Sequence, residues 1–454
     1  MEEIISDLVK GYVKDLCGDI REAYTIDPEQ YKNHAIKRGL RNEDGTGVMA
    51  GVTGIGSVQG YYIQDNERIP TPGKLYYRGI DVEEIIAANI RAGTFGYEEV
   101  AYLLLMGRLP NRHQFDQFDT ILSGARLLPS GFTEDMILKA PSRNVMNKLS
   151  RSVLALYSYD SNPDDTSIEN IVRQSIELIG RFPVIVANAY AVKRHAFDGQ
   201  SLYIHVPRED LSVSQNFLRM VRPDQNYTEE EAHLLDLMLI LHAEHGGGNN
   251  SSFACRVLSS TGTDTYSAIS AAVNSLKGPL HGGANAKVMD IFRGVCENVY
   301  DYKDDDEIKA YLTKLLDREE GDRSGKIYGL GHAVYTLSDP RAELLKKASE
   351  SLAEKKGYGE LFRLMMSIER IGKPMIVERK KLPVPICANV DMYSGLAYKM
   401  LGIPEELYTP LFAVARISGW CAHRVEEVLT CRKIIRPAYR AAFEQHQYTP
   451  RDER

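Results

Sequence analysis

Thr228-Glu229-Glu230-Glu231-Ala232-His233-Leu234-Leu235-Asp236-Leu237-Met238-Leu239-Ile240-Leu241-His242-Ala243-Glu244-His245 is the stretch that decides the class of this chain. Thr228 and Glu231 stand at the capping-box spacing that opens a helix, and Leu234, Leu235, Met238 and Leu241 continue it. The same grammar repeats outward. Residues 97–109 carry Val100, Ala101, Leu103, Leu104 and Leu105, then stop at Gly107 and Pro110. Residues 264–277 read as a small-residue helix ended by Gly278-Pro279. Asp339-Pro340 supplies an N-cap followed by proline at the first helical position, opening a helix toward Ala353. Thr409-Pro410 repeats that signal before a long helix through Val428. The β-like stretches, Val58–Ile63 and Leu75–Arg78, are short and lie in the N-terminal third. The expected fold is mostly α, and a parallel α/β sheet is excluded.

A chain of 454 residues is expected to form two domains. The reading places a large helical domain over residues 1–283 with 398–454 and a smaller one, residues 284–397, inserted into it. The first 45 residues are an unassigned extension. Asp301–Glu307 and Lys380–Pro385 read as surface loops. Hydrophobic residues at 43% and charged residues at 26% are ordinary for a soluble protein. No apolar run reaches the roughly 18 residues of a membrane span, and the acidic start at Met1-Glu2-Glu3-Ile4-Ile5 is not a signal peptide. The six cysteines (Cys17, Cys255, Cys296, Cys387, Cys421 and Cys431) form no C-x-x-C pair, which predicts reduced, buried thiols in a cytoplasmic protein. A net charge of -7 argues against nucleic acid as a partner. Anionic substrates would need arginines gathered locally against that average field.

Several motifs fail on inspection. Gly45-x-Gly47 and Gly54-x-Gly56 are not completed to G-x-G-x-x-G, and Gly321 to Gly325-Lys326-Ile327 has the wrong spacing and no hydroxyl for a P-loop. His245-Gly246-Gly247-Gly248 matches an esterase oxyanion motif, but no G-x-S-x-G elbow accompanies it. His242 and His245 lack the spacing of a zinc site, so no metal is expected.

Four segments put titratable residues among glycines or at helix edges, where backbone approaches a ligand closely and free N–H groups favour anions. They are His242–His245, Gly278-Pro279-Leu280-His281-Gly282-Gly283-Ala284-Asn285, Gly329-Leu330-Gly331-His332-Ala333-Val334-Tyr335 leading to Asp339-Pro340-Arg341, and Asn389-Val390-Asp391-Met392-Tyr393-Ser394-Gly395. Taken singly, each has an ordinary reading. Asp391 before a helix reads as an N-cap. Arg341 in a first turn reads as solvated, and Arg416 on a long helix reads as a salt-bridge partner. His281 reads as a turn residue and Arg436, before Pro437, as loop composition. His423 reads as structural.

In their order and spacing the four segments are similar to the signature segments of the citrate synthase family. Leu75–Ile80, Glu98–Pro110, Arg181-Phe182-Pro183 and Asp210–Leu218 extend the resemblance to roughly residues 70–440. The resemblance implies a two-domain helical fold and an acyltransferase that turns an acyl group into an alkyl group on transfer. Acetyl-CoA and oxaloacetate would be the substrates, with the CoA thioester a co-substrate and no permanently bound cofactor. It implies Asp391 as base, His281 as donor to the thioester carbonyl and His332 as donor to the ketone. Arg341 and Arg416 would bind substrate carboxylates, His245 would be a substrate-binding histidine, and Arg436 would reach the neighbouring subunit's site in a homodimer. Gly329, Leu330 and Gly331 match the loop that meets the adenine. Where some members carry a basic residue after the His332 position, this chain has Ala333, Tyr335 and Thr336, so the CoA phosphates would lean on cations such as Lys326, Arg379, Lys380 or Lys381. A 2-methylcitrate synthase using propionyl-CoA would keep the same groups, since one methylene discriminates by only about 10–200-fold. A non-catalytic relative binding the same ligands is the rival of another class.

Overall fold

The computed structural model describes Cys17 and residues 24–42, 45–65, 67–431, 433–443 and 445–453. The reading of Met1–Ile5 falls outside the described residues. The chain divides into two compact units, Met1–Ala50 with Arg436–Arg454, and Gly51–Ile435. The first unit holds a short helix, Pro28–Asn33, capped by the Asp27 carboxylate.

The second unit opens on a hairpin. Strands β1 (Gly56–Gln64) and β2 (Glu67–Tyr77) pair antiparallel with Val58 opposite Leu75, and β3 (Ile80–Asp81) adds to the end of β2. Both long strands exceed the expected β-like stretches. Two glycines let this hairpin press against a loop far along the chain: a Cβ on Gly60 would lie 2.6 Å from the Val334 carbonyl, and one on Gly73 2.2 Å from the Ser338 carbonyl.

Helices follow: α1 (Val82–Ala92), α2 (Tyr97–Met106), α3 (Arg112–Gly124), α4 (Val145–Leu156), α5 (Ile168–Asp198), α6 (Val213–Val221), α7 (Glu229–His242), α8 (Asn250–Ser259) and α9 (Thr265–Lys277). Next come α10 (Ala284–Asn298), α11 (Asp305–Leu316), α12 (Pro340–Lys355), α13 (Gly359–Lys380), α14 (Asp391–Met400) and α15 (Tyr408–Thr430). The fold is mostly α, as expected. Buried α15 is the hub, packing on α2, α5, α7, α8 and α9. Helices α10 to α14 pack on one another, and α12 also touches α7 and β2.

Local caps explain most boundaries. The Thr228–Glu231 box is formed in both directions. Asp264 caps α9 and Asp339 caps α12 ahead of Pro340. Gly107 ends α2 at φ 81. Thr409 is an exception. The helix begins at Tyr408, two residues before the expected Pro410, the Thr409 side chain caps nothing, and the Thr409 hydroxyl donates to the Gly282 carbonyl at 2.9 Å. Cys255, Cys387 and Cys421 are buried as expected, but Cys17 and Cys431 are exposed. Among the described residues α5 alone is long and apolar enough to cross a membrane. However, 83% of its most apolar window is buried inside the protein, which makes it a core helix.

Candidate active site

Six of the side chains singled out from sequence line one cavity of about 150 Å³: His245, His281, His332, Arg341, Asp391 and Arg416. They arrive from the end of α7, the turn between α9 and α10, the loop before α12, the first turns of α12 and α14, and the middle of α15. His242, Asn285, Asn389 and Phe412 complete much of the wall. Arg436 belongs to the first unit, whereas this cavity is built from the second.

His332 and Asp391 are held together through backbone. Leu330 bridges Ala388, and the Gly331 N–H donates to the Cys387 carbonyl at 2.7 Å. The Asn389 N–H donates to the Gly329 carbonyl at 2.8 Å and its amide donates to the Gly331 carbonyl at 2.9 Å. Gly329 and Gly331, at φ 86 and 99, make this lashing possible. The Asn389 side-chain oxygen also accepts the Asp391 N–H at 3.0 Å. Asn389 thus takes the capping contact at the start of α14. Asp391 caps nothing, and its carboxyl faces the cavity. Sequence reading gave Asn389 no role. An Asn two residues before the first acidic residue of a helix was the available signal.

The cavity sets its protonation states. Burial raises the Asp391 carboxyl to about 6; Arg341 opposes the rise and Asp339 adds to it. Burial and Arg341 lower His332 to about 4, and burial and Arg416 lower His281 to about 4. His242 and His245 fall well below the ordinary range for the same reason, burial first. All four imidazoles are therefore neutral near pH 7. For His332 the tautomer is also fixed: Nδ1 accepts the backbone N–H groups of Val334 and Tyr335, each at 3.1 Å, so the proton sits on Nε2. The Nε2 atoms of His245 and His281 are buried without a protein partner.

Neither arginine keeps its ordinary reading. Arg341 is buried, not solvated, with Nε and Nη2 bound to the Asp339 carboxylate at 3.0 and 2.7 Å. Arg416, 0% exposed, donates Nε to the His242 carbonyl at 2.6 Å, while Nη1 and Nη2 are buried without a protein partner. Burial lowers it to about 10. Unpartnered guanidinium donors in a dry wall are costly, and an oxyanion in the cavity would satisfy them bidentately. The arrangement thus offers a carboxylate that can accept a proton, neutral imidazole donors and guanidinium groups for anions. Among the described residues no group of three or more His, Cys, Asp or Glu is placed to hold a metal ion. Of the cations suggested for CoA phosphates, Arg379 is engaged by Asp317.

Known proteins match this chain closely. The family model described as citrate synthase, C-terminal domain, matches residues 44–438. A citrate synthase of Synechocystis sp. is 34% identical over 89% of this chain and 90% of its own length. A 2-methylcitrate synthase of Shewanella oneidensis is 34% identical over 80% and 87%. The solved ternary complex of carboxymethyl coenzyme A and oxaloacetate with the citrate synthase of Thermoplasma acidophilum superimposes with TM-score 0.74 at 27% identity over 92% of this chain and 99% of that one. The fold and the match together define an enzyme of the acyl-transferring class. The chain belongs to the citrate synthase family.

Proposed function

We propose that the chain condenses acetyl-CoA with oxaloacetate and hydrolyses the resulting citryl thioester to citrate and CoA. The observation that carries this is the convergence of His281, His332 and Asp391 with Arg341, Arg416 and His245 on one cavity. Ionised Asp391 takes a proton from the thioester methyl while neutral His281 donates to the carbonyl oxygen that gains the electron pair. The new nucleophilic carbon attacks the ketone of oxaloacetate. The ketone oxygen becomes an alkoxide, and the Nε2–H of His332 is the donor that meets it. Arg341, Arg416 and His245 hold the carboxylates. Water then cleaves the thioester, and the sulfur leaves as the CoA thiol. Closure of residues 284–397 over the rest would exclude water during condensation.

The Shewanella relative motivates a second reading, with propionyl-CoA as acyl donor. Thiol release with oxaloacetate and each acyl-CoA decides. Faster release with acetyl-CoA supports the proposal, and faster release with propionyl-CoA supports the second reading. No release with either would identify a non-catalytic binding protein. The scattered cysteines support a cytoplasmic setting. The likeness of Ile435-Arg436-Pro437 to a family segment supports a homodimer in which Arg436 serves the other subunit's cavity.

A further inference from the structure

Beneath the cavity wall lies a buried polar chain that the chemistry above does not use. Glu244, 0% exposed, lies just past the end of α7, between the cavity histidines His242 and His245 in the chain. Its Oε1 accepts the Gly246 N–H at 2.5 Å and bonds His423 Nε2 at 2.9 Å. His423, also 0% exposed, presents Nδ1 to Arg256 Nε and Nη2 at 3.1 and 2.7 Å. A guanidinium only donates, so Nδ1 is the acceptor and the His423 proton is on Nε2, aimed at Glu244. Arg256 is held in turn by Glu426, by Glu427 at 2.8 Å and by Thr53. The Glu244 carboxylate has no room to move. A Cβ on Gly56 would lie 2.8 Å from its Cγ, and one on Gly419 2.6 Å from its Oε2.

We propose that Glu244, oriented by the His423–Arg256 pair, is a positioning residue that fixes the His245 turn and faces Arg416 with a compensating charge, and so sets affinity for the dicarboxylate substrate. Gly246 follows His245 at φ 86, and the Glu244 carboxylate ties its N–H, so the direction of the His245 ring depends on that bond. The His245 ring stands edge-on to His332 with centroids 5.2 Å apart, which leaves little tolerance for a tilted turn. Burial pushes the Glu244 carboxyl up, but His423, Arg416 and the Gly246 N–H more than offset this and keep it below the ordinary range. The Glu244 charge also acts electrostatically on Arg416, a guanidinium with no carboxylate at ion-pair distance among the described residues.

The inference rests on the proposed function and is tested with the full chain by steady-state kinetics and by calorimetric binding of oxaloacetate. His423→Ala should raise the KM and Kd for oxaloacetate by about tenfold or more, as expected for a misplaced binding group, with the KM for acetyl-CoA unchanged within about twofold. His423→Gln, whose amide N–H can replace Nε2–H, should recover most of that loss. If His423→Ala does not fold, Glu244→Gln, which keeps shape and removes charge, should show the same split between the two KM values. Both KM values moving together, the Gln and Ala variants of His423 behaving alike, or wild-type constants throughout would overturn the positioning role. A wild-type chain that neither turns over nor binds oxaloacetate would instead overturn the functional reading, and this inference with it.

Discussion

In the proposed reaction Asp391 must ionise to act as the base, in a place where burial resists ionisation. Because it is raised to about 6, kcat/KM for acetyl-CoA should fall below about pH 6 as the base becomes protonated. His281 and His332, lowered to about 4, stay neutral through that range and add no limb there. The same shift has a stability sign. The folded value lies above the unfolded one, so stability is full below the ordinary carboxyl range and declines as pH rises toward 6, by about 3 kcal/mol in all. Asp391→Asn should therefore cost about 10²–10⁴-fold in turnover, keep oxaloacetate binding measurable, and raise Tm at about pH 8 but not at about pH 4. Equal Tm differences at both pH values would show that the carboxyl is not destabilised by burial. His281→Ala and His332→Ala should each lower kcat by about 10²–10³-fold, and kcat within about threefold of wild type in either would remove that residue from the chemistry. These residues were legible because each sits in a short segment of distinctive composition. Asn389 and His423 were not, because their bonds reach 58 residues to Gly331 and 179 to Glu244, and no local pattern encodes such partners.

Elements were legible to the extent that their ends are local. The Thr228, Asp264 and Asp339 caps satisfy donors within three residues, so sequence alone locates them. The hairpin was underestimated because Pro70 and Pro72 in β2 and Gly60 in β1 break the strand pattern. Those prolines are tolerated because β3 pairs only with Tyr76 and Tyr77, which leaves the other edge of β2 without a strand at that point among the described residues. Gly60 and Gly73 are there for contact with residues 334–338, the loop between His332 and Arg341. The Gly73 N–H donates to Ser338 Oγ at 3.1 Å, next to the Asp339 that grips Arg341. Gly73→Ala would place its methyl against the Ser338 carbonyl, an overpacking of about 1–3 kcal/mol. The expected result is a lower Tm and a KM for oxaloacetate up to about tenfold higher, because displacement of Ser338 moves Arg341. An unchanged Tm and KM would mean that the hairpin does not seat this loop.

At the scale of the whole molecule, the first unit joins the two ends of the chain, residues 1–50 and 436–454, which no sequence pattern links. Arg436 opens the C-terminal part of that unit, just beyond the helix α15 that carries Arg416. If Arg436 serves the cavity of a two-fold partner, the two lesions Arg436→Ala and Asp391→Ala should complement each other. Each variant alone as a homodimer is nearly inactive, the first for want of a carboxylate ligand and the second for want of a base. In a mixed dimer one cavity collects both lesions. The other pairs intact Asp391 of the Arg436→Ala chain with intact Arg436 of the Asp391→Ala chain. Random exchange of equal amounts makes about half of the dimers mixed, each with one good cavity of two, so about a quarter of wild-type activity should return. Exchange is followed independently by mass differences between tagged subunits. Activity that stays at the level of the unmixed variants after complete exchange would place Arg436 within its own chain's chemistry or outside the chemistry altogether, since only a residue acting across the two-fold axis can be supplied by the other parent.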